Sequence, residues 1–317
     1  MGCFLMNEIV ESSRKFSEQK VTEMRSVLAG LIPEGCGVFT FGSFARREAS
    51  QESDIDYIIV SKEGFGSEHD LKPFVDEVDV ALKSVVAVAP AQNGPFGKHV
   101  SINEMLTNLG GENDGNENIT RRLLLLLEGD WLSNKECFDS LRCRLIERYV
   151  DATPRDHQLA LFLLNDIIRY WRTMTVDYMY KTVEGAKPWA IRNIKLVFSR
   201  KLMYASGLFS VAQTVDRSRC EKAEILLDLL SCPVTIRMEK VCGSEKVEKL
   251  FRHYAVFLEM IGDTSVRERL NKIRRDDHSD PTFRVLKNEG HHFTRELLEL
   301  LETTFHRTHP IFRSVIF

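Results

Sequence analysis

No stretch of this chain is apolar for long enough to cross a bilayer. Uninterrupted apolar runs such as Leu123 to Leu127 are far short of the roughly twenty residues a spanning helix needs. The start carries no basic region followed by an apolar signal core, so neither export nor membrane insertion is expected. Cysteine occurs seven times, an odd count with no C-x-x-C pair and no accompanying histidine pattern. That excludes a disulfide framework and a structural zinc motif, and it fits a reducing cytoplasm. Neither sign of charge prevails: 43 Lys and Arg face 46 Asp and Glu. Net charge therefore neither indicates nor excludes a nucleic-acid partner. Internal repeats and low-complexity segments are lacking too. What remains is a globular chain of 317 residues, long enough to bury a sizeable core and to make two domains.

The chain is organised around Val38 to Val60, VFTFGSFARREASQESDIDYIIV. Val38, Phe39 and Phe41 form a strand-like run ended by Gly42, and Ile55, Tyr57, Ile58, Ile59 and Val60 form a second strand carrying Asp54 and Asp56. Side chains two apart on a strand share a face, so the two carboxylates point the same way. Like charges held together need a divalent cation or bases to relieve them, and hard oxygen ligands favour magnesium. Gly42 permits a tight turn with exposed amides and Ser43 adds a hydroxyl, a pairing suited to the phosphates of a nucleotide. The plain alternative is a surface hairpin with two solvated aspartates.

Gly42-Ser43, ten intervening residues, then Asp54-Ile55-Asp56 resembles the signature of the DNA polymerase beta-like nucleotidyltransferase superfamily. The resemblance implies an α+β fold: a small mixed sheet in a catalytic domain over residues 1–150, then an all-helical domain over 151–317 that completes the nucleotide pocket. It implies in-line transfer of a nucleoside monophosphate from an NTP or dNTP, ATP among them, to an acceptor hydroxyl on a nucleotide, an oligonucleotide or a protein. Asp54, Asp56 and Ser43 would be catalytic, with Asp54 and Asp56 holding two magnesium ions. The run Leu123 to Leu127, ending Glu128-Gly129-Asp130, is loosely similar to the branch containing the signal-protein uridylyltransferase. Compact relatives suggest bacterial regulation, a toxin–antitoxin role or phage defence. The superfamily's third carboxylate, the general base, is not located: Asn93 lies near the expected place, and Glu77, Asp79, Glu104 and Asp114 are the nearest acids. Its absence keeps a second reading open, a catalytically impaired nucleotide sensor or toxin–antitoxin component.

Along the rest of the chain, spacing predicts a helix over residues 7–31, a helix over 70–84, a short strand over 85–88, a helix after Lys98, and a further helix from Thr120 capped by Asn118. Arg121 and Arg122 either serve the site or pair with Glu112, Asp114 or Glu117. The polar break Asp151 to Arg155 marks the domain boundary. Beyond it, Asn165, Arg169 and Arg172 share one helical face, and Arg192, Lys195 and Ser199 share another. Arg169, Arg172, Arg192, Lys195 and Ser199 are thus expected to clamp a triphosphate; the alternative is a network neutralised by Asp166, Asp177 and Glu184. Trp171, Tyr178 and Trp189 serve either a base or the core. Segments near 219–230, 245–261, 266–273 and 295–305 read as a helical bundle. The apolar tail from Ile311 leaves docking on the body, on a second copy or on a partner protein open.

Overall fold

Two apolar runs joined by a turn fold back on each other and seed a sheet. The computed structural model of the chain describes residues 2–62, 68–88, 99–107, 109–151, 155–185, 187–277 and 279–316. A long helix, α1 (Gly2–Leu28), leads into β1 (Cys36–Phe41), α2 (Gly42–Arg46) and β2 (Asp56–Ser61). Then follow α3 (Glu68–Lys83), β3 (His99–Ser101), α4 (Ile102–Leu106), α5 (Asn116–Leu127), β4 (Asp130–Ser133) and α6 (Lys135–Asp151). Among the described residues the strands form one mixed sheet in the order β3-β2-β1-β4. Strand β1 is antiparallel to both its neighbours, and β2 runs parallel to β3. This is the small mixed sheet expected of an α+β chain, and helices follow it.

Period-two alternation gives the sheet two covered faces. Val38, Ile55, Tyr57 and Ile59 pack with Val21, Met24 and Leu28 of α1 and with Phe74, Val78 and Leu82 of α3. Phe39, on the opposite side of β1, meets Phe138 of α6 edge-on at 5.0 Å. The uninterrupted Leu123–Leu127 run is buried throughout, as a helix without a polar face must be.

Three local expectations fail here. The strand expected over 85–88 reduces to a single bridge between Val88 and Asp54. The ladder beside β2 is β3, where a helix was expected, and that helix (α4) starts only at Ile102. Strand β3 is too short to show a period, and its His99 ring bonds the Ser61 hydroxyl at 2.7 Å. Helix α5 begins at Asn116 behind an extended Gly115 rather than behind Asn118, whose amide donates to the Asn113 carbonyl.

Contacts divide the chain into two units, Arg14–Ala152 and Met1–Ser13 with Thr153–Phe317. The second comprises α7 (Leu161–Val183), α8 (Trp189–Lys195), a π-helical turn (Leu196–Arg200), α9 (Lys201–Ala212), α10 (Arg219–Leu230) and α11 (Val234–Cys242). It ends with α12 (Ser244–Gly262), α13 (Thr264–Lys272), α14 (Pro281–Thr304) and α15 (Pro310–Ser314). Phe198 of the π turn stacks on Phe257 at 4.7 Å and tilts against Phe293 at 5.1 Å. Gly290 lets α14 close on that turn, since a Cβ there would lie 2.6 Å from Val197 Cγ1. No helix among the described residues is long and apolar enough to cross a membrane.

Candidate functional site

Strand β1 ends at Phe41, which pairs in register with Asp56, and the chain then turns at Gly42 with a φ of 73° into α2. The turn lies against Asp56 so closely that a Cβ on Gly42 would sit 2.6 Å from Asp56 Oδ2. Both the left-handed backbone and the missing side chain are therefore required there. Ser43, next in α2, is partly exposed. Asp54 and Asp56 are also partly exposed, while Ile55 and Tyr57 are buried in the core. The two carboxylates thus share the face turned away from that core, as their spacing requires. On the core side the Tyr57 hydroxyl donates to Asp79 at 2.6 Å.

The Gly42 amide is not exposed for a phosphate, contrary to the sequence reading. It donates to Glu128 Oε1 at 3.1 Å in a buried contact. Glu128 Oε2 accepts from Arg46 Nη1, and Arg46 Nε donates to Glu48 Oε2 at 2.8 Å. The side chains of Arg46, Glu48 and Glu128 are 6%, 3% and 1% exposed. A carboxylate so far from water takes whatever donors it can reach, and the turn supplies two. Nearby, Asp130 of β4 accepts from Arg25 and Arg47. Sequence reasoning missed this network because Glu128 lies 86 positions from Gly42. The acidic end of the Leu123–Leu127 run was its one visible trace.

None of the acids weighed as a third carboxylate joins the pair. Asp79 is bonded to Tyr57. Asp114 is fully buried in a two-pronged bond with Arg122 at 2.8 and 2.7 Å. Glu104 lies 3.9 Å from Arg121, which bonds Glu117, and Glu77 is exposed on α3. Arg121 and Arg122 thus pair with acids named as their alternative, but Arg122 does so fully buried rather than on the surface. Beside Asp54, across the parallel bridge, stands Val88. Asn93 lies outside the described residues.

The remaining candidates belong to the helical unit. Arg169 and Arg172 are exposed on α7, and Arg192 and Lys195 are partly exposed on α8. Ser199 is 4% exposed and does not share their face. The π turn accommodates an extra residue per turn, so the α-helical spacing from Arg192 to Ser199 no longer describes one face. Trp171 stacks on Tyr204 at 5.0 Å and Trp189 packs on Phe283 at 4.9 Å, which places both in packing. Tyr178 accepts from the Asn193 amide.

The glycine turn that follows β1 is thus set against Asp56 at the start of the antiparallel β2, with Asp54 two residues before it. Residues 23–106 match the family model described as a nucleotidyltransferase domain, and this segment is such a domain, of the DNA polymerase beta-like superfamily. The match contains Gly42, Ser43, Asp54 and Asp56 and stops before α5, β4 and the helical unit. Among curated proteins, no match is found.

Proposed function

We propose that the chain is a magnesium-dependent nucleotidyltransferase that moves a nucleoside monophosphate from an NTP or dNTP to an acceptor hydroxyl. The observation that carries this reading is the fit of Gly42 against Asp56, with Asp54 two residues away and, like Asp56, partly exposed. The donor set suits magnesium, a hard ion usually bound through one or two carboxylates together with the substrate's phosphates. No group of three or more His, Cys, Asp or Glu disposed to hold a metal exists among the described residues, which fits an ion shared with the nucleotide. Asp54 and Asp56 would hold one or two such ions. Bound there, magnesium would polarise the phosphoryl group and offset charge on the departing pyrophosphate. The Ser43 hydroxyl donates to a phosphate oxygen. Gly42 contributes the turn and the room beside Asp56 rather than its own N–H. The acceptor is a nucleotide, a nucleic-acid end or a protein, and bacterial signalling or phage defence is the setting the resemblance suggests.

A second reading, a nucleotide sensor without turnover, is favoured by the residue that pairs with Asp54 among those described, Val88, which is no acid. Incubation with magnesium and all ribo- and deoxyribonucleotides, followed by mass spectrometry of the products, separates the two. Pyrophosphate release that disappears in Asp54→Ala and Asp56→Ala supports transfer. Tight binding with no product supports the sensor, and release indifferent to both substitutions overturns the assignment of the site.

A further inference from the structure

We propose that Glu128 is a positioning residue of this site: a carboxylate that never meets the substrate but fixes the Gly42–Ser43 turn against Asp56. The proposal rests on the nucleotidyl-transfer reading above.

Glu128 follows the last residue of α5, so the buried Leu123–Leu127 run anchors it. Its two oxygens are divided between the first and last residues of α2, the Gly42 amide and the Arg46 guanidinium. One side chain therefore grips a five-residue helix at both ends. Arg46 passes the constraint to Glu48, whose backbone N–H donates to the Ser43 carbonyl at 2.8 Å. The peptide on either side of Ser43 is thus tied into one network. The tolerance of this arrangement is small. With only 2.6 Å between a notional Gly42 Cβ and Asp56 Oδ2, a modest rotation at Gly42 drives the backbone into the carboxylate or opens a gap beside it. Misplacement of reacting groups by about 1 Å is enough to cost on the order of a hundredfold in rate.

The chemistry of the contact calls for a carboxylate. Two donors converge on Glu128, and glutamine offers only one acceptor oxygen. Glu128→Gln therefore sets an NH₂ against an N–H in a place sealed from water, and either Gly42 or Arg46 must let go.

The test uses the full chain carrying Glu128→Gln, with Asp114→Asn as the control that weakens another buried ion pair of the same unit. Melting is followed by circular dichroism, transfer by pyrophosphate release, and the carboxylate pair by that part of Mn²⁺ binding which Asp56→Asn abolishes. At a temperature where every variant is folded, Glu128→Gln should lower kcat about tenfold or more, raise KM for the nucleotide, and weaken that Mn²⁺ binding several-fold. Asp114→Asn should leave all three near wild type whatever its melting loss. Unchanged kcat, KM and Mn²⁺ affinity in Glu128→Gln, or equal losses in Asp114→Asn, overturn the positioning role while leaving the transfer reading intact. If the wild type releases no pyrophosphate from any nucleotide, the transfer reading falls by itself. Mn²⁺ affinity then decides the proposal: weakened in Glu128→Gln, Glu128 still positions the turn; unchanged, or with no Mn²⁺ bound at all, it does not. Should Glu128→Gln fail to fold, Glu128→Asp replaces it under the same criteria, since it keeps the charge one methylene short of its two donors.

Discussion

At Gly42 two independent constraints meet, a φ of 73° and a neighbour that leaves no room for a methyl group. The left-handed backbone alone costs roughly 1–2 kcal/mol for any other residue. Gly42→Ala should therefore lower stability by at least that amount, as read from denaturant unfolding, and reduce pyrophosphate release further than the stability loss explains. Retained activity would show that the turn tolerates displacement of Asp56. Cys36 offers a test of a different kind. It begins β1 fully buried, and burial, with Cys137 adding to it, pushes its thiol up from 9.0 to about 11. A folded-state value above the unfolded one means that this contribution is fully present below about pH 9 and is lost as pH rises towards 11. At roughly 1.4 kcal/mol per unit, about 2–3 kcal/mol is at stake. Tyr57 is pushed in the same direction by burial and by its bond to Asp79. Unfolding midpoints near pH 8 and pH 10.5 should therefore fall less in Cys36→Ala than in the wild type, and an equal fall would remove Cys36 from the explanation.

Among the elements, those whose determinants are local were legible in the sequence. The β1–turn–β2 unit shows itself through an apolar run, a glycine and a period-two pattern carrying two aspartates, all within 23 residues of chain. The Leu123–Leu127 run could only be a buried helix. What escaped notice depends on partners far along the chain, or on a change of helical period. Glu128 leaves no trace of its bond to Gly42 in any short window. The π turn at Leu196–Arg200 keeps an α-like composition while rotating Ser199 off the face of Arg192 and Lys195. Strand β3 is three residues long, too short to be distinguished from the helix after it. The pairing of α5 with the loop before it also carries a prediction. Arg122 is held above its ordinary value even though burial opposes it, because Asp114 and Tyr149 bond it. Arg122→Ala would strand the Asp114 carboxylate, which is fully buried, and breaking such a pair typically costs about 3–5 kcal/mol. A loss below about 1 kcal/mol in chemical denaturation would place the pair among the weakly coupled surface bridges.

On the scale of the whole molecule, a ligand that binds only the folded chain raises its stability by mass action. At a nucleotide concentration about a hundred times Kd the gain is roughly 2.7 kcal/mol. The melting temperature should thus rise by several degrees with magnesium and a preferred nucleotide, and Asp56→Ala should abolish the rise. A shift that survives Asp56→Ala would place binding away from the carboxylate pair.

Helix α1 has an implication for synthesis. Its opening residues, through Ser13, are grouped with the unit built from Thr153–Phe317, whereas its later residues from Arg14 are grouped with the sheet. On a ribosome adding about 5–20 residues per second, that leading segment emerges tens of seconds before the body it belongs to. The sheet can mature while the tip of its own first helix waits for residues 153–317 to be made.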